Sequence, residues 1–169
     1  METFTAIHVL ISLAAIVSGF AVAFGLLYAK PLDTWTTVFL LLTAGTSVSG
    51  FLFPFHGFTP AIGVGVFSVA VLAAAIFARY VRQLAGSWRK LYVVAALLAL
   101  YLNVFVLVVQ AFQKVPVLKE LAPTQSETPF LLAQLAVLIF FVFLTVAAVI
   151  KFRDEPARAS ARAAGAGRR

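Results

Sequence analysis

Five long hydrophobic stretches alternate with short polar segments along the chain. They cover residues 4–28, 36–53, 61–78, 91–112 and 130–150. Each is close to the roughly 20 apolar residues an α-helix needs to cross a bilayer core. The polar positions inside them recur at helical spacing. Between residues 92 and 114, Tyr92, Ala96, Ala99, Asn103, Val106, Gln110 and Gln113 follow at steps of three or four. On a 3.6-residue helix they share one face. An unpartnered amide in hydrocarbon is costly, so this face should look into a helix bundle.

The other stretches show what that face can meet. The first carries His8, Ser12, Ala15, Gly19 and Ala23 at helical spacing, and small residues let helices approach closely in lipid. The second ends in TAGTSVSG, with Thr43, Gly45, Thr46, Ser47, Ser49 and Gly50. Their hydroxyls can bond back to their own helix and so tolerate lipid. The third begins with Gly63, Gly65 and Ser68, and the fifth places Gln134 and Thr145 on one face. The interior is expected to form from the small faces of the first two stretches against the amide stripe of the fourth.

The connections read as turns and caps. Pro31 breaks the chain before Asp33 or Thr34, either of which can cap a helix. Thr59-Pro60 and Thr128-Pro129 each offer a capping threonine with proline at the first helical position. Trp35 and Trp88 suit interfacial anchors. Residues 79–90 read as a basic loop and residues 115–128 as a longer loop with Pro116 and Pro123. The first stretch outruns a signal peptide's roughly 7–15-residue apolar region, and METFT lacks a basic leader, so it reads as a retained span. After Phe152 large apolar residues stop. Residues 1–152 are therefore the predicted bundle and residues 153–169 a disordered basic cytoplasmic tail.

Composition turns these helices into a membrane bundle. Of 169 residues, 63% are hydrophobic and 11% charged, against about 45–50% and about 25% in soluble domains. The absence of cysteine excludes disulfides, thiolate metal sites and thiol catalysis. The net charge of +7 lies in short loops and a tail beside apolar spans, so topology explains it before nucleic acid does. With the N-terminus outside, eleven of the 13 Lys and Arg fall on the inner side, leaving Lys114 and Lys119 outside. The positive-inside rule favours that orientation, with the C-terminus cytoplasmic. The fold class expected is thus an all-α polytopic bundle of five spans.

Depth follows from a rise of about 1.5 Å per residue. His8, His56, Gln110, Gln113 and Gln134 are expected in one outer-leaflet polar layer, with Asn103 deeper and nothing ionisable in the inner half. His8 and His56 are the only histidines, and two imidazoles from separate segments can ligate a haem b iron. The plainer account makes them interfacial residues. The stripe of Asn103, Gln110 and Gln113, with Gln134 and a hydroxyl from Tyr101 or Tyr92, can bind a quinone carbonyl or a lipid phosphate. The plainer account makes it interhelical glue, at roughly 0.6–2 kcal/mol per bond. Lys114, Lys119, Glu120 and Glu127 can bind a ligand; the plainer account makes them a solvated face. Ion-coupled transport usually needs ionisable groups at depth, and hydrolysis needs a nucleophile–base pair; neither appears.

At FPFHGFTPAIGVG and YLNVFVLVVQAFQKVP the chain resembles a group of small multi-pass bacterial membrane proteins with no assigned activity. The resemblance covers residues 46–151. It implies a bacterial inner-membrane location and directs attention to His56, Asn103, Gln110 and Lys114. The function expected is a non-catalytic binding or accessory protein in the lipid bilayer, with a membrane-protein partner or a second copy as companions. A redox protein holding haem b or quinone, and a small permease or channel for a neutral solute, are the alternatives.

Overall fold

The computed structural model describes residues 2–30, 32–53 and 60–152. All of its regular structure there is helical: α1 (Glu2–Leu27), α2 (Asp33–Phe51), α3 (Pro60–Ile76), α4 (Trp88–Lys114), α5 (Pro116–Leu121) and α6 (Thr128–Lys151). His56, the turn at 54–59, the Thr59 cap, Pro31 and the tail at 153–169 lie outside the described residues. Helices α1 to α4 run alternately up and down in a four-helix ring. In it α1 packs on α2 and α4, α2 on α3, and α3 on α4, while α6 lies outside against α4 and α1. The end at which α1 begins is termed the upper end.

Four segments are long and apolar enough to cross a membrane: Glu2–Leu27, Ile62–Val81, Trp88–Lys114 and Thr128–Lys151. The chain is therefore a membrane protein by its helices. Helix α2, expected as a further span, does not reach the same measure. It is 19 residues long, and its threonines, serines and glycines dilute its leucines and phenylalanines. Part of that polar content is turned inward, since Thr36 and Thr43 are both buried.

Helix α1 ends in a tight reversal. Lys30 N–H reaches back to the Gly25 carbonyl at 2.8 Å while Ala29 takes φ 52°. That is a helix-terminating arrangement with the left-handed residue supplied by alanine rather than the usual glycine. Gly25 is required there, because a Cβ on it would lie 2.9 Å from the Lys30 carbonyl oxygen.

The lower half of the ring is closed. Val22, Ala23, Phe39, Leu40, Tyr92, Ala96, Leu97, Ala99 and Leu100 form one core, and none of them is more than 3% exposed. Gly19 sits at its centre. A Cβ there would stand 2.5 Å from Leu100 Cδ1 and 2.8 Å from Phe39 Cε2. Helix α6 attaches more lightly, through Phe141 against Tyr101 and Phe20, with ring centroids 5.7 and 6.1 Å away. Only 11% of its apolar span is buried, against 44% for α1 and for α4.

Several expectations are corrected. The third helix does not stop at residue 78. It continues through a π-helical turn, Phe77–Val81, that carries Arg79. Arg79, expected in a solvated loop, keeps only 9% of its side chain exposed and pairs with Asp33 of α2. Its guanidinium lies 5.2 Å from the centre of the Tyr92 ring, and Tyr92 Oη donates to Thr36 Oγ1 at 3.4 Å. An ionised group therefore does reach into the lower end, held by a carboxylate and an aromatic face. Asp33 opens α2 but does not cap it, and Leu32 holds the N-cap position without a side-chain bond. Trp88, expected in a loop, opens α4 and packs edge-on against Phe77 at 5.3 Å. The expected loop at 115–128 contains α5, with Pro116 in its first turn.

Thr128 is likewise the first helical residue of α6, not its cap. Glu127 occupies the N-cap position and turns its carboxylate back to the loop. Oε1 accepts from Thr124 N–H at 3.1 Å and Thr124 Oγ1 at 2.8 Å, and Oε2 from Ser126 N–H at 3.1 Å. Desolvation is the largest single influence and opposes ionisation, but the hydrogen bonds together outweigh it and hold the Glu127 carboxyl below its ordinary value.

Candidate functional site

The upper half of the same ring is hollow. A cavity of about 640 Å³ lies between α1, the end of α2, the start of α3 and the end of α4. From Lys114 at its mouth to Asn103 at its floor is eleven residues of α4, or about 16 Å of helix. Its walls are mostly apolar, including Val9, Leu13, Phe51, Ile62, Val106 and Leu107. The polar side chains are His8 and Ser12 from α1, Thr46 and Ser47 from α2, Ser68 from α3, and Asn103, Gln110 and Lys114 from α4, with Thr5 near the mouth. Ligand pockets commonly measure ~300–1,000 Å³ and join apolar walls to a few convergent polar groups.

Hydrogen bonding settles the state of His8. Ser49 Oγ donates to the Gly45 carbonyl at 2.6 Å, so its hydrogen is committed there. The 2.7 Å contact between Ser49 Oγ and His8 Nδ1 then requires Nδ1 to be the donor. His8 is held with its proton on Nδ1, leaving Nε2 as its other hydrogen-bonding atom. The ring is further fixed edge-on to Phe53, at 5.2 Å between centres. Ser12 Oγ bonds back to the His8 carbonyl at 2.7 Å, the local closure that makes serine tolerable in an apolar helix.

The floor is tied across the ring. Asn103 Nδ2 donates to Thr43 Oγ1 at 3.3 Å, tying α4 to α2. Thr46 Oγ1 is shielded from solvent and finds no partner among the described residues. Immediately below, the core at Gly19, Phe39 and Leu100 admits nothing, so the cavity ends at Ile16, Ser68, Leu102 and Asn103.

The predicted site residues divide into three groups. His8, Asn103 and Gln110 border the cavity together. Tyr101 and Gln134 stand on the other side of α4, in its contact with α6. Tyr101 packs on Phe141, while Gln134 Nε2 donates to the Phe105 carbonyl at 3.2 Å. Gln113 faces the loop before α6 and bonds Gln125 at 3.4 Å, which in turn holds the Val109 carbonyl at 3.0 Å. The polar layer expected from depth is thus split by direction around α4. His56 lies outside the described residues.

From sequence Thr46 and Ser47 read as lipid-tolerant hydroxyls, Ser68 only as a small residue near the start of its span, and Lys114 as a ligand contact or, more plainly, part of a solvated face. All four line the cavity. A signal for Lys114 was present, since it lies four residues after Gln110 and so shares its face. Among the described residues no group of three His, Cys, Asp or Glu gathers as a metal site. Comparison with protein-family models, with curated proteins and with solved structures found no match.

Proposed function

We propose that the protein is a non-catalytic membrane-embedded binding protein whose ligand is an amphiphile seated in the cavity of the upper half. The observation that carries this reading is the cavity itself: about 640 Å³, walled by apolar side chains, with His8, Gln110 and Lys114 toward one end. A quinone or a single-chain lipid has the matching division between a polar head and an apolar body. The reading places α2 as a fifth span, completing the ring through its contacts with α1 and α3. It also places the upper end outward and the basic loop and tail inward, in a bacterial inner membrane, as the positive-inside rule favours.

The test is direct. Protein purified in a mild detergent is extracted with organic solvent, and the extract is analysed by mass spectrometry for a stoichiometric amphiphile. Filling the cavity with Val106→Trp should remove that molecule, and an extract identical to the wild type's overturns the reading. Orientation is tested separately. Cysteine at Ala164 should be labelled only from the cytoplasm and cysteine at Ser126 only from outside.

A second reading, haem b, rests on His8. A histidine whose Nδ1–H is held by a second partner is the usual form of a metal ligand, with Nε2 facing the metal. Oxidised and dithionite-reduced visible spectra decide it. A Soret band with sharpened α and β bands, lost in His8→Ala, supports haem; a flat spectrum after expression with adequate haem removes it.

A further inference from the structure

The charge arrangement in the cavity narrows the ligand class. Among the described residues Lys114 is the one Lys, Arg, Asp or Glu in the lining, and it stands at the upper end. It has neither a hydrogen bond nor an ion-pair partner among the described residues. At the opposite end Arg79, by contrast, is paired with Asp33. One turn below Lys114, on the same face of α4, Gln110 also has no hydrogen-bond partner among the described residues. These two side chains bring an ammonium and an amide, all donors except for the amide oxygen. Across from them His8 contributes a ring nitrogen, Nε2, that can accept from a protonated acid or donate once the ring is charged. Lower down, the Asn103 amide is already bonded to Thr43, and the remaining polar groups are small neutral hydroxyls.

Lys114 has a structural use as well, since a cation in the last turn of a helix complements the dipole there. That use accounts for a lysine on the helix end. It does not account for the cavity beneath it, or for an unpartnered amide one turn below on the same face.

We infer that the ligand is an anionic single-chain amphiphile, with its carboxylate or phosphate held by Lys114 and Gln110 and its chain lying down the apolar walls toward Asn103. This rests on the binding reading above and adds the charge of the head group. A charge-assisted bond from an ammonium to an oxyanion is roughly twice as strong as a neutral one. The site should therefore separate acids from alcohols of equal chain length.

The experiment uses the full chain in phosphatidylcholine nanodiscs and three diazirine-bearing dodecyl probes: a carboxylate, a phosphate and an alcohol. Photo-crosslinked peptides are mapped by mass spectrometry. One or both anionic probes should label cavity-lining residues about tenfold more than the alcohol does, and which anion labels better separates fatty acid from phosphate head. Lys114→Gln should bring the anions down to the alcohol's level, and Lys114→Arg should retain the preference. Lys119→Gln, outside the cavity, should change nothing.

Equal labelling by all three probes, unmoved by Lys114→Gln, overturns the anionic head group and leaves the cavity reading standing. Equal losses in Lys114→Gln and Lys119→Gln assign the effect to general surface charge and also overturn it. If Val106→Trp leaves cavity labelling by every probe intact, the cavity reading itself fails.

Discussion

The two halves of the α1–α4 ring are built from the same four helices and differ in what faces their small residues. In the lower half Gly19 stands opposite Phe39 and Leu100, which fill the space its missing side chain leaves. In the upper half, among the described residues, a Cβ on Gly45 would meet Ile11 Cγ2 at 3.6 Å and one on Gly50 His8 Cε1 at 3.7 Å, while Gly65, with Phe51 Cζ at 3.1 Å, is the tighter exception. Ser12, Ser47 and Ser68 line the same hollow. Small residues draw helices together where a larger side chain interdigitates from the other side. Where the facing side chains stop short of that space, a cavity remains. One composition thus yields a sealed end and a receptive end.

The contrast can be broken most severely from below. Phe39→Ala should cost about 3 kcal/mol, the low end of the range for large core truncations, because lipid and not water solvates separated helices. Leu107→Ala, on the cavity wall, should stay within about 0.5 kcal/mol. Thermal unfolding in detergent compares the two, and equal losses would mean the halves are packed alike. Next in size, Gly19→Ala should destabilise by about 1–3 kcal/mol through overpacking against Leu100 and Phe39. Gly50→Ala should be nearly neutral in the same assay.

Asn103→Leu sits at the boundary. Loss of its bond to Thr43 should cost about 0.6 kcal/mol, typical of an interhelical hydrogen bond in a membrane. A variant as stable as the wild type, or more so, shows that the amide is not needed as glue and raises its weight as a ligand contact. The smallest effect lies outside the ring. The Glu127 carboxyl is depressed in the folded state, so its contribution is present above the unfolded carboxylate pKa and fades as pH falls through the folded value. Protection of the Thr124 and Ser126 amides, after correction for the intrinsic pH dependence of exchange, should fall on that acid limb, and Glu127→Gln should remove that fall.

Hydropathy made the helices legible because span length is imposed by the bilayer and leaves a long, unambiguous signal. Helix α2 was the weak case, since a helix whose hydroxyls face its neighbours reads from sequence as merely less apolar. The face bearing Tyr92, Ala96, Ala99 and Asn103 was likewise readable, but periodicity gives a direction around one helix and not the neighbour it meets. Depth counting therefore grouped Gln134 with His8, although α6 approaches α4 from the other side. Arg79 was misplaced for a related reason. A charge after an apolar run looks like a loop residue until Asp33, 46 positions earlier, is brought against it.

The π-helical turn at Phe77–Val81 gives that last contact a phase. A wide turn of this kind shifts the angular register of everything before it relative to everything after it. Winding the same residues as an ordinary α-helix would swing the upstream helix by about 100° relative to the loop that follows. Either Arg79 leaves Asp33 or the wall carrying Gly65 and Ser68 rotates out of the cavity. The turn at one end of α3 is thus a mechanical setting for the other, and the length of this segment constrains the site more tightly than many of its side chains do.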